Sequence, residues 1–260
     1  MQDQLKTYLI QTDTVWRNIY ENLKNIQSKI DQIPEKTDLI ILPEMFSTGF
    51  VMNPEEISET MDGESVKWMK KNAVEKQSAI TGSLIIKEKN KYYNRLIFVK
   101  PNGDVDYYDK KHLFSYAGED KKYTAGLERK TIDYKGWKIA PFICYDLRFP
   151  VWSRNTQNYD IALYVANWPE PRISAWDSLL KARAIENICY AIGVNRTGED
   201  GNNLKYVGHS QIINPQGNII EKSNTTNEDI ISTTLYKAEM LTNRTNFKFL
   251  EDRDHFLLQN

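Results

Sequence analysis

The sequence predicts an α/β fold, and two observations support this prediction. Apolar runs of strand length, such as residues 39–42 and 161–165, alternate with segments that have the three- and four-residue apolar spacing of helices. Between residues 80 and 108 three strands follow one another, separated by the turn signals Lys89-Asn90 and Asn102-Gly103. This order is typical of a mixed sheet, or of two sheets packed face to face with helices outside.

The chain begins with a strand and a helix. Residues 5–10 have a strand pattern, and Asp13 or Thr14 can then cap a helix that Pro34 ends. The apolar positions of this helix recur at helical spacing: Trp16, Ile19, Leu23, Ile26 and Ile30.

The next predicted strand, Leu39 to Leu42, is apolar at every position, as in strands buried on both faces. It leads through Pro43 into Glu44, so we expect this carboxylate at the carboxyl end of a strand. A helix over residues 65–75 and strands over 80–86, 92–99 and 105–108 follow.

The second half alternates again, with strands over 138–144, 161–165, 189–194, 209–213 and 219–221 and helices over 151–156 and 175–186. No Pro-, Gly- or Ser-rich linker and no internal repeat interrupts the chain. We therefore expect one domain over residues 1–260, with residues 247–260 as a tail. The active site should lie at strand ends.

Composition excludes several classes of function. The 260 residues carry 34 basic and 35 acidic side chains, a formal net charge of -1, so there is no positive field to attract a nucleic acid. No apolar stretch has the length of a membrane span or the setting of a secretion signal. Nothing in the use of its two cysteines suggests an oxidising compartment. We expect a soluble cytoplasmic protein with reduced thiols.

The two cysteines have different settings. Cys144 follows the predicted strand 139–143 at a point where the chain turns, which is where a nucleophilic thiolate with a lowered pKa could be presented. Cys189 lies in an apolar strand pattern and is expected to be a small buried hydrophobe.

Other catalytic arrangements are not favoured. None of the three histidines, His112, His209 and His255, has a convincing context as a base for cysteine. No Gly-x-Ser-x-Gly elbow surrounds a serine, and no His-x-x-x-His, Cys-x-x-Cys or close carboxylate cluster predicts a metal site. Phosphate-binding loops are also absent.

A carboxylate and an ammonium remain, each in an apolar context. Glu44 follows a buried strand, and Lys110 lies in Tyr107-Tyr108-Asp109-Lys110-Lys111-His112-Leu113-Phe114. A buried carboxylate can take the proton of a thiol, and a nearby lysine can stabilise both the thiolate and a developing oxyanion. The residues themselves leave open a structural carboxylate and a surface lysine.

Three motifs together resemble the nitrilase superfamily, also called carbon-nitrogen hydrolases. They occur in the family's order: Leu42-Pro43-Glu44-Met45-Phe46, Asp109-Lys110-Lys111-His112-Leu113-Phe114, and Ile143-Cys144-Tyr145-Asp146-Leu147-Arg148-Phe149-Pro150. The resemblance implies that Glu44 is the general base, Lys110 the lysine and Cys144 the nucleophile. It also implies a second glutamate, for which Glu119 in Gly118-Glu119-Asp120 is the candidate.

The resemblance covers almost the whole chain. It implies a four-layer α-β-β-α sandwich and a likeness to bacterial omega-amidases, which hydrolyse the terminal amide of alpha-ketoglutaramate and alpha-ketosuccinamate. It also implies a homodimer whose subunits pair through their outer helices. Separately, we expect residues 247–260 to pack at a subunit interface. A small-molecule amide is the expected partner, and no cofactor or metal is required.

The implied mechanism assigns further roles. Lys110 and the backbone N–H of Tyr145 hold the oxyanion, and a thioester on Cys144 is hydrolysed by water that Glu44 activates. Glu119 orients Lys110 and the substrate.

A carboxylate on the substrate needs a cationic partner, for which Arg172 beside Trp168, with Trp176 one helical turn on, is the candidate pocket wall. Arg148 and Arg183 are alternatives, but an arginine so close to the nucleophile is more often paired with a structural acid.

Two other functions remain compatible with the sequence. One is an amidohydrolase of the same architecture that acts on a different linear amide, a carbamoyl compound or a nitrile. The other is a binding module that has lost activity, against which the presence of all three catalytic residue types argues.

Overall fold

The structure is a computed structural model and describes residues 2–34 and 36–258. Its strands are β1 (Gln4–Gln11), β2 (Leu39–Ile41), β3 (Ala79–Glu88), β4 (Lys91–Val99), β5 (Val105–Asp109), β6 (Ile132–Tyr134), β7 (Trp137–Ile143), β8 (Ile161–Ala166), β9 (Tyr190–Asn195), β10 (Thr197–Glu199), β11 (Lys205–Val207), β12 (Gln211–Ile213), β13 (Ile219–Lys222) and β14 (Asp229–Tyr236). Its α-helices are α1 (Ile19–Ile30), α2 (Glu64–Lys76), α3 (Pro150–Ser153), α4 (Ile173–Asn187) and α5 (Lys237–Asn246). Short 3-10 helices occupy Pro54–Glu56, Ser115–Ala117, Glu119–Lys121, Cys144–Arg148 and Glu170–Arg172.

Two six-stranded mixed sheets form the centre of the fold. The first has the order β14-β1-β2-β3-β4-β5, and the second has the order β13-β12-β9-β8-β7-β6. Strands β1, β2 and β3 are parallel, as are β7, β8 and β9. Glu44 lies three residues after the end of β2, and Cys144 directly follows β7, so each sheet contributes one of these residues to the site.

Alternation along the strands explains the four layers. In β1, Leu5 and Leu9 point into a core shared with the second sheet, whereas Tyr8 and Ile10 pack with α1 and α2. Residues of α4 such as Leu180 belong to the core on the second sheet. The predicted α-β-β-α sandwich is confirmed. Because helices cover the outer faces of both sheets, a site can form only at strand ends and in loops.

The sequence-based boundaries of several elements were wrong. Helix α1 begins at Ile19, because the Asn18 side chain accepts a hydrogen bond of 3.1 Å from the Glu21 N–H, and Trp16 lies before it. Asp13, the expected cap, instead binds Arg196 at 2.8 Å. The helix expected over 151–156 is the single turn α3.

Other differences lie at strand ends and near the C-terminus. The strand expected over 138–144 ends at Ile143, so Cys144 belongs to the turn that follows. Cys189 and residues 209–210 lie just outside β9 and β12. Strands β6 and β14 and helix α5 were not predicted. In β14 only two residues, Ile231 and Leu235, are buried, so it lacks the apolar run of an internal strand.

Among residues 2–34 and 36–258, no helix has the length and apolar character needed to span a bilayer. Of the tail over residues 247–260, the last two residues lie outside the described part of the chain.

Candidate active site

Four side chains from separate parts of the sequence meet at the ends of the two sheets. The Lys110 ammonium lies 3.0 Å from Glu44 Oε1, and 3.1 and 2.9 Å from the two carboxylate oxygens of Glu119. These three side chains are completely buried. Two carboxylates share one ammonium, so the cluster keeps one uncompensated negative charge. The structure thus brings together Glu44, Lys110, Glu119 and, beside them, Cys144.

Cys144 opens the 3-10 turn after β7 with a φ of +44°, a left-handed conformation that a non-glycine residue adopts only when its surroundings enforce it. The buried carboxylate of Asp146 holds this turn. It accepts hydrogen bonds from the Ile143 N–H at 3.0 Å, the His112 N–H at 3.0 Å and the Tyr108 hydroxyl at 2.8 Å. The turn that presents Cys144 is therefore held against the segment that carries Lys110.

The thiol of Cys144 faces the general-base candidate. Sγ donates to the carbonyl oxygen of Asn167 at 3.9 Å, and the Glu44 carboxylate lies close enough for its charge to raise the pKa of the thiol. Glu44 is held in turn by Asn167, whose backbone N–H donates to Oε2 at 2.7 Å and whose side-chain amide donates to the Glu44 carbonyl at 3.0 Å.

The electrostatics of the thiol differ from the expectation of a lowered pKa. Desolvation and the negative charges of Glu44 and Glu119 raise the pKa of Cys144 well above its ordinary value, and Lys110 opposes them only in part. Because the cluster already carries excess negative charge, a thiolate would add to it. Cys144 is therefore a thiol at rest, and a mechanism with Cys144 as nucleophile requires a base that takes its proton.

The pKa values of Lys110 and Glu119 are also shifted by the charges that surround them. The carboxylates of Glu119 and Glu44 raise the pKa of Lys110 above its usual range despite its burial, so this side chain is always charged. Desolvation and the charge of Glu44 raise the pKa of Glu119, against the attraction of Lys110.

Asn94 was not foreseen from the sequence. Its side-chain N–H₂ donates to Glu44 Oε1 at 2.7 Å and to Glu119 Oε1 at 3.3 Å. The signal in the sequence is a polar residue placed just ahead of the apolar run of β4. In the structure Asn94 is fully buried, which is unusual for a polar side chain without a specific role.

A cavity of about 320 Å³ opens over Cys144. Its lining includes the aromatic side chains Phe50, Phe114, Tyr145, Trp168 and Tyr206, the cations Lys110, Arg148 and Arg172, and the carboxylate residue Asp200. Tyr145 is the second residue of the 3-10 turn Cys144–Arg148, and backbone N–H groups in the first turn of a helix have no partner within the helix.

The two cavity arginines lie against aromatic rings. The guanidinium of Arg148 is 4.9 Å from the ring centre of Trp168, and that of Arg172 is 5.3 Å from the ring centre of Phe114. Among the described residues, no carboxylate lies within 4.0 Å of either arginine. The expectation that Arg148 pairs with a structural acid was therefore wrong. Arg183 does make such a pair, with Glu186 at 3.0 Å.

Trp176 does not line the cavity. Its ring lies 5.6 Å from that of Trp168, on the core side, and its N–H donates to the carbonyl of His209 at 3.0 Å. The prediction placed it one helical turn after Arg172. However, Arg172 belongs to the preceding 3-10 helix and α4 begins only at Ile173, so the helical phase does not continue across the junction.

The remaining candidate groups have structural contacts. His112 stacks on Phe149 with ring centres 3.7 Å apart, and His209 contacts Asp177 at 2.8 Å. Cys189 is fully buried, and desolvation raises its pKa to about 12. Within residues 2–34 and 36–258 there is no group of three or more His, Cys, Asp or Glu residues that could hold a metal ion.

Comparison with known proteins gives the family. The model of the carbon-nitrogen hydrolase family matches residues 6–241. The chain belongs to the carbon-nitrogen hydrolase family. It is 43% identical over 254 residues to the omega-amidase YafV of Escherichia coli strain K12, which covers 98% of both chains. It is 34% identical over 217 residues to the 2-oxoglutaramate amidase of Bacillus subtilis, covering 81% of this chain and 83% of that protein.

A solved carbon-nitrogen hydrolase has nearly the same fold. XC1258 from Xanthomonas campestris, crystallised with an arsenic adduct in its active site, superposes with a TM-score of 0.97 at 38% identity. The superposition covers 99% of this chain and 100% of that chain. These findings identify the protein as a hydrolase of carbon–nitrogen bonds in amides.

Proposed function

We propose that this protein is an omega-amidase that hydrolyses the terminal amide of alpha-ketoglutaramate and alpha-ketosuccinamate to the dicarboxylate and ammonia. The observation that carries the proposal is that the thiol of Cys144 and the carboxylate of Glu44 line one cavity with two arginines that have no acidic partner. A substrate with a carboxylate at one end and an amide at the other matches both features. The names of the relatives from Escherichia coli and Bacillus subtilis support the same assignment.

In the first half-reaction, Glu44 takes the thiol proton while the sulfur of Cys144 forms a bond to the amide carbon. The carbonyl oxygen becomes an oxyanion, which Lys110 and the backbone N–H of Tyr145 stabilise. Lys110 has three N–H donors, which contact Glu44 Oε1 and both oxygens of Glu119, and it turns the donor of the longer Glu119 contact, at 3.1 Å, to the oxyanion. Collapse of the intermediate breaks the carbon–nitrogen bond, and the proton on Glu44 leaves with ammonia.

In the second half-reaction, water replaces ammonia. Glu44 takes a proton from water as its oxygen attacks the thioester carbon, and the carbon–sulfur bond then breaks. The proton returns to Cys144, and the dicarboxylate leaves. Glu119 keeps Lys110 aimed at the reacting carbonyl through the contact of 2.9 Å that its Oε2 makes with the ammonium.

The substrate's carboxylate is recognised by Arg172 and Arg148. Arg172 is half-buried and Arg148 lies exposed at the mouth, so both are reachable from the cavity. The indole N–H of Trp168 donates to the Arg172 carbonyl at 2.7 Å, which keeps this ring in the wall beside the arginine. Trp176 packs against Trp168 from the side of the core and so supports this ring.

We also propose a cytoplasmic homodimer. Val151 on α3 is 53% exposed and Leu257 in the tail is 95% exposed, and both line one depression on the surface. Apolar side chains left in water on an outer layer are typical of a surface that a second copy covers. The molecular mass in solution should be that of two chains, and removal of residues 247–260 should shift it towards one chain.

The direct test of the activity is ammonia release from a panel of substrates: alpha-ketoglutaramate, glutamine, a carbamoyl compound and a simple nitrile. We expect rapid release from the keto amide and much slower release from the others. If another member of the panel is preferred, the protein is a different amidohydrolase of this family. Release from none of them would contradict the proposed activity.

A further inference from the structure

Asn94 contacts three of the four residues in the site. Its side chain donates to Glu44 Oε1 at 2.7 Å and to Glu119 Oε1 at 3.3 Å. Its backbone carbonyl accepts the N–H of Lys110 at 3.0 Å. It is fully buried in β4, so no water competes for these bonds. One neutral residue therefore connects both carboxylates with the segment that carries the ammonium.

The orientation of the Asn94 amide is fixed by its neighbours. Carboxylates only accept hydrogen bonds, so the N–H₂ group must face Glu44 and Glu119. The Asn94 Oδ1 then accepts from the Ser83 hydroxyl at 2.8 Å, and the Ser83 oxygen accepts from the Met45 N–H at 2.9 Å. This chain of donors runs in one direction, from the backbone beside Glu44 to the two carboxylates.

The contacts of Asn94 leave the two oxygens of Glu44 unequal. Oε1 accepts from both Asn94 and Lys110, which uses its two lone pairs. Oε2 accepts only the Asn167 N–H, at 2.7 Å, so one lone pair remains for the Cys144 proton.

We propose that Asn94, fixed by Ser83, is a positioning residue that directs the proton of Cys144 to Oε2 of Glu44 and keeps Glu44 and Glu119 ionised side by side. The inference rests on the proposed role of Glu44 as the base. Asn94 acts through Glu44 and contacts no reacting atom. Its two donors bind charged carboxylates more strongly than protonated ones, so they favour the base in its active form.

The sign of the pH effect follows from the groups around Glu44. The charged or titratable groups that face it are Lys110, Glu119, Cys144 and the Tyr123 hydroxyl. Without Asn94, the carboxylates of Glu44 and Glu119 still repel each other, but they lose the two hydrogen bonds that offset this repulsion. Protonation at the base then becomes easier, and the acid side of the pH profile should move to higher pH.

The test uses alkylation of Cys144 by iodoacetamide as a function of pH, together with the kcat/KM for alpha-ketoglutaramate. In Asn94→Leu we expect the acid-side midpoint of both profiles to rise by about one pH unit. This shift corresponds to a loss of about tenfold below the midpoint, with recovery at higher pH. Ser83→Ala, which keeps the amide but removes its anchor, should shift both midpoints in the same direction by a smaller amount.

The matched control is Asn72→Leu, which removes another buried asparagine, on α2, whose partners are Gln27 and Trp68. A loss that is equal at all pH values, or that Asn72→Leu reproduces, would overturn the inference. If Asn94→Leu does not fold, the Ser83→Ala profile decides, and an unshifted midpoint there refutes it. Alkylation needs no substrate, so a shifted alkylation profile without keto amide turnover would support the inference and reject the proposed substrate.

Discussion

The ammonium of Lys110 lies 3.0 Å from the carboxylate of Glu44, and neither side chain is exposed to water. Glu119 contacts the same ammonium from the other side. Burying three charges is costly unless each is paired, so the site is a source of local instability that the surrounding fold must offset. A role in the proposed reaction therefore explains this buried cluster better than a contribution to the stability of the fold does.

Replacement of Lys110 by Met should destabilise the protein at neutral pH by about 3–5 kcal/mol, because two buried carboxylates lose their shared partner. The loss in the free energy of unfolding should become smaller as the pH falls, since protonation of the carboxylates removes the repulsion between them. Urea unfolding at two pH values measures both effects. The control is Lys67→Met, at an exposed lysine of α2, which should change little. A deficit of the same size at both pH values would show that the ammonium does not balance the carboxylates.

The raised pKa of Cys144 predicts a resting thiol. The ultraviolet difference spectrum between the wild type and Cys144→Ala should contain no thiolate band at pH values up to about 9, the ordinary range of a thiol. Alkylation at neutral pH should slow in Glu44→Gln, because that variant has no base to take the proton. A thiolate band at neutral pH would contradict this account, since Lys110 would then outweigh the two carboxylates.

Arg172→Leu and Arg148→Leu should each lower the kcat/KM for alpha-ketoglutaramate by about tenfold or more, through loss of a charge-assisted hydrogen bond. An uncharged amide of similar length lacks the carboxylate, so its turnover should be almost unchanged in both variants. Equal losses with the two substrates would mean that the arginines shape the cavity without recognising a carboxylate. Steady-state kinetics with matched substrate pairs distinguishes these outcomes.

Stability should fall at high pH because of Cys189. Its pKa is about 12 in the folded protein against 9.0 for an ordinary thiol, so the unfolded state loses its proton first. The contribution of this group is complete below pH 9 and is lost as the pH rises towards 12. Between these values it lowers the free energy of unfolding by about 1.4 kcal/mol per pH unit. Cys189→Ala should show a correspondingly shallower decline in denaturant unfolding, and an unchanged slope would contradict the prediction.

Much of the site could be predicted because its residues follow buried strands. Apolar runs identify β2 and β7 from local sequence, and the carboxyl ends of such strands bring Glu44 and Cys144 together. The family motifs supplied Lys110 and Glu119, which lie in loops without a periodic pattern. For Lys110 the residues alone left a surface lysine open, and the structure shows that both Lys110 and Glu119 are buried.

The rest depends on contacts between distant parts of the chain. Asn94 and Glu44 are 50 positions apart, and their hydrogen bond exists only because β4 lies beside the end of β2 through β3. Asp13 fails to cap α1 because Arg196, 183 positions away, binds its carboxylate. Local propensity cannot anticipate either outcome, because the competing partner is supplied by tertiary structure.

The central claim is that Cys144 is the nucleophile in the hydrolysis of a keto acid amide, and the most direct test compares the two cysteines. Ammonia release from alpha-ketoglutaramate should be abolished in Cys144→Ala and should persist in Cys189→Ala, whose thiol lies in the core away from the cavity. Substantial release by a folded Cys144→Ala variant would contradict the claim.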